Sequence, residues 1–255
     1  MDLGLAGKHC FVTGASAGIG RGTALALAVE GALLSIAGRN EGALAATRDM
    51  ILARGASVVG IVTCDLSQAA GIDTAAAAIA QAERPVDVLI NNAGGGRPYK
   101  LDAALDSQAW DETTSLNFTA ARRLAESALP SMRRARWGRI ITITGSLALQ
   151  RMNAATPAKA AITSWSRALS IQVAPEGITV NCVAPGRINS EQVLNRLFPT
   201  EEARHREIAL NVPAGRFGEP EEIAAVITFL ASTRASYVTG AMIPVDGGFL
   251  RLDLK

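Results

Sequence analysis

The chain has two histidines, His9 and His205, and its acidic residues are scattered, so no cluster suited to a zinc or other transition metal stands out. Its three cysteines, Cys10, Cys64 and Cys182, are far apart and odd in number. Each lies in or beside an apolar, strand-like run, which reads as buried free thiols in a reducing compartment and excludes a disulfide framework. No long basic run occurs and the net charge is only +2, so nothing points to nucleic acid. The short cluster Arg133, Arg134 and Arg136 reads as a solvated helix end. No uninterrupted apolar stretch is long enough for a membrane span. The opening MDLGLAGKHC lacks the charged-then-apolar layout of a signal peptide, and a cytoplasmic protein is expected. Pro/Ser-rich linkers and repeats of solenoid length are missing too. What is abundant is apolar: 49% of the 255 residues are hydrophobic and 19% charged, enough to bury a large core and too apolar for a disordered chain.

Short β-branched runs alternate with longer Ala-rich stretches. Strands are predicted at 9–13, 33–37, 57–63, 86–90, 139–144, 179–184 and near 242–245, with helices over 20–30, 40–53, 71–83, 110–134, 157–173 and 220–230. The strands are nearly continuous in apolar residues, which marks strands buried on both faces of a parallel sheet. Repeated βα units imply an α/β fold, a doubly wound parallel sheet of Rossmann type in three layers. One dinucleotide-binding domain over 1–255 is expected. The segment 186–218 breaks the βα rhythm just after a strand and reads as an irregular substrate lid.

The first βα turn reads Thr13-Gly14-Ala15-Ser16-Ala17-Gly18-Ile19-Gly20, between an apolar strand and an Ala/Leu-rich helix. Glycines here permit a tight turn and close approach of backbone to a pyrophosphate. The helix N-terminus adds unpaired N–H groups and the positive end of its dipole. In the opening βα unit such a turn is a far stronger signal than it is elsewhere. Gly14, Ser16, Gly18, Ile19 and Gly20 are therefore candidate cofactor contacts. The second strand ends in Gly38-Arg39-Asn40. A carboxylate at this place would hold the ribose 2′-hydroxyl of NAD; Arg39 instead suits the 2′-phosphate of NADP.

With that turn, Asp65 in TCDLS, Asn91-Asn92-Ala93-Gly94 after the fourth strand, Asn117 in SLNFTA, Lys159, Pro185-Gly186, Tyr237-Val-Thr-Gly and Val245-Asp246-Gly-Gly, the sequence resembles the short-chain dehydrogenase/reductase family along nearly its whole length. The resemblance implies that Asp65 and Leu66 contact the adenine, that Asn92, Ala93 and Gly94 flank the cofactor, and that Pro185 and Gly186 pass the nicotinamide. It also implies a homotetramer or homodimer built through two long central helices. The family's usual mechanism needs a tyrosine as proton donor, a lysine one helical turn later that lowers the tyrosine pKa and binds the ribose, a serine that polarises the carbonyl, and an asparagine that holds a relay water. Tyrosine and lysine stand at i, i+4 so that both share one helix face.

This sequence departs from that set at two places. Four residues before Lys159 stands Ala155, which cannot transfer a proton, and the two tyrosines, Tyr99 and Tyr237, are remote from this helix in sequence. The usual serine position falls on Gly145, with Ser146 next and only 13 residues before Lys159. The loop between them has therefore lost residues. Pro157 preceded by Thr156 suits a helix start, with Thr156 as N-cap or Asn153 capping an earlier one. Asn117, Ser146 and Lys159 are the candidate catalytic residues, with Lys159 also a ribose contact. Water or Tyr99, in the loop beyond the fourth strand, would be the proton donor. Arg97 and Lys100 in that loop, with Arg187, hint at an anionic substrate. The reading is an NADP-dependent oxidoreductase of a small-molecule carbonyl/alcohol pair with a non-standard proton donor. The alternative is an NADP-binding protein without reductase activity, acting as a sensor or partner subunit.

Overall fold

The computed structural model describes residues 1–96, 107–145, 153–191 and 193–249. Seven parallel strands form one sheet: β1 (His9–Thr13), β2 (Leu33–Gly38), β3 (Ser57–Thr63), β4 (Val88–Asn91), β5 (Gly138–Ile143), β6 (Ile178–Pro185) and β7 (Met242–Val245), in the order β3-β2-β1-β4-β5-β6-β7. The order reverses direction between β1 and β4. The loops leaving the carboxyl ends of these two strands diverge there and leave a crevice, the place where open α/β sheets bind ligands.

The continuous apolar runs are explained by two cores. On one face, Cys10 and Val12 of β1, Val88 and Ile90 of β4, and Ile141 and Ile143 of β5 meet α1 (Gly18–Val29), α2 (Glu41–Leu52) and α8 (Pro220–Ala231). On the other, Phe11 and Leu89, the residues between them, and Ile140, just before Ile141, meet α3 (Ala69–Ala80), α5 (Ala120–Ala135) and α6 (Ala155–Val173). Successive side chains point to opposite faces, so both parities must be apolar when helices cover both sides. Each fully buried Leu or Ile, such as Leu27, Leu34 or Ile36, contributes about 1.5–3 kcal/mol. β7 departs from the rule. As the edge strand it alternates, with Met242 and Pro244 exposed and Ile243 and Val245 half-buried.

Three boundaries differ from the sequence expectation. The helix expected over 110–134 is two helices, α4 (Ser107–Thr114) and α5, joined by a π turn at Ser115–Thr119. The segment 186–218, expected to be irregular, contains a π turn (Val193–Leu197) and α7 (Glu201–Asn211). Thr200 caps α7 by accepting from Ala203 N at 3.2 Å, with Glu201 and Glu202 in the first turn. No side chain of α7 is buried, and that absence of an apolar stripe hid the helix from a periodicity reading. Finally, α6 begins at Ala155, not at Pro157: Asn153 Oδ1 accepts from Thr156 N at 2.9 Å and Thr156 Oγ1 at 3.2 Å, so Asn153 holds the earlier start.

At the amino ends of the strands, away from the crevice, His9 is buried between Arg84 O (2.7 Å from Nδ1) and Ser35 Oγ (2.8 Å from Nε2). Burial holds it below the ordinary histidine pKa, against the opposing pull of the Arg84 carbonyl and Asp87. Arg139 is also buried there, donating to the carbonyls of Ser232, Gly138 and Gly177 beneath the Trp137 ring, and burial lowers its pKa to about 10.

Candidate active site

The turn between β1 and α1 is built for close backbone approach. Gly14 and Gly18 adopt φ of +66° and +53°, conformations open to glycine and strained for other residues. Gly20 answers a different demand: a β-carbon there would lie 2.2 Å from Gly14 O and 2.4 Å from Asn92 Nδ2, so only hydrogen lets α1 seat against the β4 loop. The N-cap of α1, Ala17, makes no side-chain capping bond, and the first turn carries no acid. The helix therefore presents uncapped N–H groups and an uncompensated positive dipole end, a fit for an anionic phosphate. Ser16 and Ile19 are half-buried in the same turn, and Ser16 O accepts a hydrogen bond from Arg21.

Sequence reasoning did not single out Thr13, which fastens this turn to the β4 loop. Its Oγ1 donates to Ile90 O at 3.2 Å and accepts from Asn92 N at 2.9 Å and Ala93 N at 3.0 Å. Asn92 Nδ2 returns the bond to Thr13 O at 3.0 Å and Gly14 O at 3.2 Å. Thr47 on α2 was missed as well. Buried, it donates to Ala15 O and to Ala43 O, both at 3.0 Å, and ties the back of the turn to α2. Both are short hydroxyl residues without a distinctive spacing; only their contacts single them out.

At the end of β2, Arg39 is exposed and makes no hydrogen bond or ion pair with another described residue. Its guanidinium is thus available to an incoming anion. Asp65 follows β3; its Oδ1 accepts from Ser67 N at 2.9 Å and Ser67 Oγ at 2.8 Å, which fixes the loop where Leu66 turns into the core. Pro185 pairs with Val245 at the end of β6, and Gly186 N donates to Val245 O at 3.1 Å.

Asn117 and Lys159 converge at the carboxyl ends of β4 and β5. Asn117 sits in the π turn, buried, with its amide fully engaged: Oδ1 accepts from Gly95 N at 3.1 Å, and Nδ2 donates to Gly95 O at 2.7 Å and Thr113 O at 2.8 Å. The widened turn is what lets one residue bond both its own helix and the β4 loop; such π turns recur at functional sites. Lys159, half-buried on α6, donates from Nζ to Thr144 O. A β-carbon on Gly94 would lie 3.0 Å from Asn117 Oδ1 and 3.9 Å from Lys159 Cε, so the glycine brings the three segments together. Burial of the ammonium lowers the Lys159 pKa to about 8, with no charged neighbour contributing.

Ala155 stands one helical turn before Lys159, buried, and a β-carbon on Gly96 would lie 2.8 Å from Ala155 Cβ. Gly96 of the β4 loop thus lies close beside the alanine. The hydroxyl of Thr156 is bonded to Asn153, and that of Thr144 donates to Val183 O at 3.2 Å. Ser146, Tyr99, Arg97 and Lys100 lie outside the described residues. Arg187 is not the free cation its sequence position suggested: its Nε donates to Glu207 Oε1 at 2.7 Å, and its guanidinium lies over Phe198 and Phe249. No group of three or more metal-ligating side chains occurs among the described residues, and no described helix is long and apolar enough to cross a membrane.

Residues 14–250 match the protein family described as Enoyl-(Acyl carrier protein) reductase. The 3-oxoacyl-[acyl-carrier-protein] reductase FabG of Pseudomonas aeruginosa is 37% identical over 250 residues, covering 96% of this chain and 98% of that protein. Among solved structures, L-sorbose reductase from Gluconobacter frateurii, complexed with NADPH and L-sorbose, superposes with a TM-score of 0.91 at 30% identity, over 98% of this chain and 99% of the other. The Pseudomonas aeruginosa RhlG/NADP complex gives a TM-score of 0.87 at 35% identity, over 97% and 98%.

Proposed function

The chain belongs to the short-chain dehydrogenase/reductase family, and from that premise we propose that it is an NADP-dependent oxidoreductase of a carbonyl/alcohol pair whose proton donor is not the family's tyrosine. The observation that carries this reading is the presence of two features around one crevice: an uncapped glycine turn with an exposed Arg39 beside it that no described residue pairs, and the Asn117–Lys159 pair at the ends of β4 and β5. The bound dinucleotide would supply the hydride. The N–H groups of 14–20 would hold its pyrophosphate, Arg39 its 2′-phosphate, Asp65 and Leu66 the adenine edge. Asn92, Ala93 and Gly94, with Pro185 and Gly186, would bound the nicotinamide end, and Lys159 would reach its ribose. Ser146 would polarise the substrate carbonyl, and Asn117 holds the β4 loop in register for that contact. Two relatives solved with NADPH or NADP over nearly their whole length support the choice of cofactor.

A second reading, a cofactor-binding chain without turnover, is favoured by one observation: the buried side chain one turn before Lys159 is Ala155, which has no proton to transfer. One titration separates the two. NADPH and NADH binding are followed by fluorescence, then a panel of ketones and aldehydes is added in the same cuvette. Tight NADPH binding with substrate-dependent oxidation supports the reductase, and tight binding with none supports the second reading; no binding removes both. Assembly as a homodimer or homotetramer through α5 and α6 belongs to the same proposal; Ile171, three-quarters exposed on α6, is the apolar side chain such an interface would cover.

A further inference from the structure

We propose that the Lys159 ammonium is itself the proton donor to the substrate oxygen, in place of the missing tyrosine. This rests on the reductase reading above and names the group that completes it. Ala155 is buried beside Gly96 of the β4 loop, where a β-carbon on the glycine would lie 2.8 Å from Ala155 Cβ, and its methyl carries no proton to give. One turn further along the same helix face stands Lys159. Its ammonium is bonded to Thr144 O, and a β-carbon on Gly145 would lie 3.6 Å from Nζ. Gly145 thus lies against the ammonium without a side chain between them, and at φ +144° it holds a backbone conformation that side chains rarely adopt.

Several other proton-bearing groups described near the ends of β4 and β5 are already committed. The Thr156 hydroxyl donates to Asn153, the Thr144 hydroxyl to Val183 O, the Thr13 hydroxyl to Ile90 O, and the Asn117 amide to Gly95 O and Thr113 O. Lysine has three N–H bonds, and Thr144 O uses one. The elements packed on Lys159 present to it a carbonyl and a glycine from β5, Gly94 and the neutral Asn117 amide from the β4 side, and Thr163, which donates to the Lys159 carbonyl, from α6. None of these is charged, so the ammonium is destabilised by burial alone and titrates at about 8, close enough to neutrality to release a proton.

The step balances without a further reactant. A bound reduced dinucleotide would supply the hydride to the substrate carbonyl carbon and be oxidised by it; as the C=O π pair moves to oxygen, Lys159 Nζ would give that oxygen one proton, and the neutral amine would regain its proton from water. In the oxidation direction the amine accepts the alcohol proton.

The test uses the full chain with NADPH and whichever carbonyl it turns over. Lys159→Arg keeps a cation and hydrogen-bond donors but cannot release a proton near neutrality. It is expected to bind NADPH within a few-fold of the parent and to lose about 10²–10⁴ in kcat. Lys159→Ala, checked for an unchanged melting transition, is expected to regain rate with added ethylamine. Separately, acetylation of the unliganded chain across pH 6–11, read by peptide mass spectrometry, is expected to show Lys159 reacting with a midpoint near pH 8, well below that of a free lysine peptide in the same reaction. Retention of more than a third of kcat by Lys159→Arg, or a Lys159 midpoint equal to that of the free peptide, would overturn the proposal and leave the reductase reading intact. NADPH binding by the parent chain with no turnover on any carbonyl overturns both.

Discussion

Replacing Ala155 with tyrosine puts a phenol where the family resemblance expects one, and the packing predicts that the variant gains nothing. Gly96 comes so close that a β-carbon on it would lie 2.8 Å from Ala155 Cβ, so its backbone crowds the space beyond the alanine methyl. A phenol needs several ångströms beyond Cβ, so either the ring is forced into a wrong rotamer or the Gly94–Gly96 segment lifts. The first is overpacking, which costs about 1–3 kcal/mol. The second breaks the two Asn117–Gly95 hydrogen bonds (3.1 and 2.7 Å), at about 1 kcal/mol each. Both routes give roughly 1–3 kcal/mol, equivalent to a fall in Tm of about 2–12 °C in a domain of this size. The lifted loop also carries Gly94, which flanks the crevice, so NADPH affinity falls with it. Differential scanning calorimetry and NADPH fluorescence titration of Ala155→Tyr check both effects, and kcat on the best carbonyl checks the third. A positioned general acid is worth about 10²–10⁴ in rate. A variant with unchanged Tm, unchanged NADPH affinity and a gain of about 10² or more would refute the packing argument and the assignment of the proton to Lys159 together.

Three other perturbations read separate parts of the molecule. Arg39→Ala removes an exposed cation that no described residue pairs, so unfolding free energy is expected to stay within about 0.5 kcal/mol while NADPH affinity falls about 10–100-fold and NADH affinity does not, as parallel titrations and urea melts would show. Gly20→Ala forces a β-carbon to 2.2 Å from Gly14 O; stability is expected to fall by about 1–3 kcal/mol and NADPH binding to weaken with the displaced turn, measured on the same two instruments. His9 is neutral in the fold because burial lowers its pKa, whereas in the unfolded chain it titrates near 6.5. Its contribution to stability is therefore present above pH 6.5 and lost as pH falls through the lowered folded value. Urea unfolding between pH 7 and 5 should show a downward slope that is shallower in His9→Gln; identical slopes would mean that His9 does not carry it.

Local pattern alone determined a good deal about this chain. Apolar runs without alternation specify strands covered on both faces, and their succession with Ala-rich helices specifies a parallel doubly wound sheet. The turn at 13–20 and Arg39 were legible because backbone approach to phosphate demands glycine at fixed offsets, a constraint written in residue identity. The absence of tyrosine at 155 was equally legible. What only the tertiary structure decided depends on segments distant in sequence meeting in space. The hydroxyl of Thr13 gathers the β4 loop, Asn153 rather than Thr156 holds the start of α6, and Arg187 spends its charge on Glu207 twenty residues on. The π turn at Ser115–Thr119 has no periodic signature, because it is fixed by one side chain bonding across to Gly95. The close approach of Gly96 to Ala155, and the meeting of Lys159 with Thr144, follow from how the β4 loop and the end of β5 settle on α6. Sequence patterns report what each residue demands of its immediate chain; which demands are met, and by whom, is settled by packing.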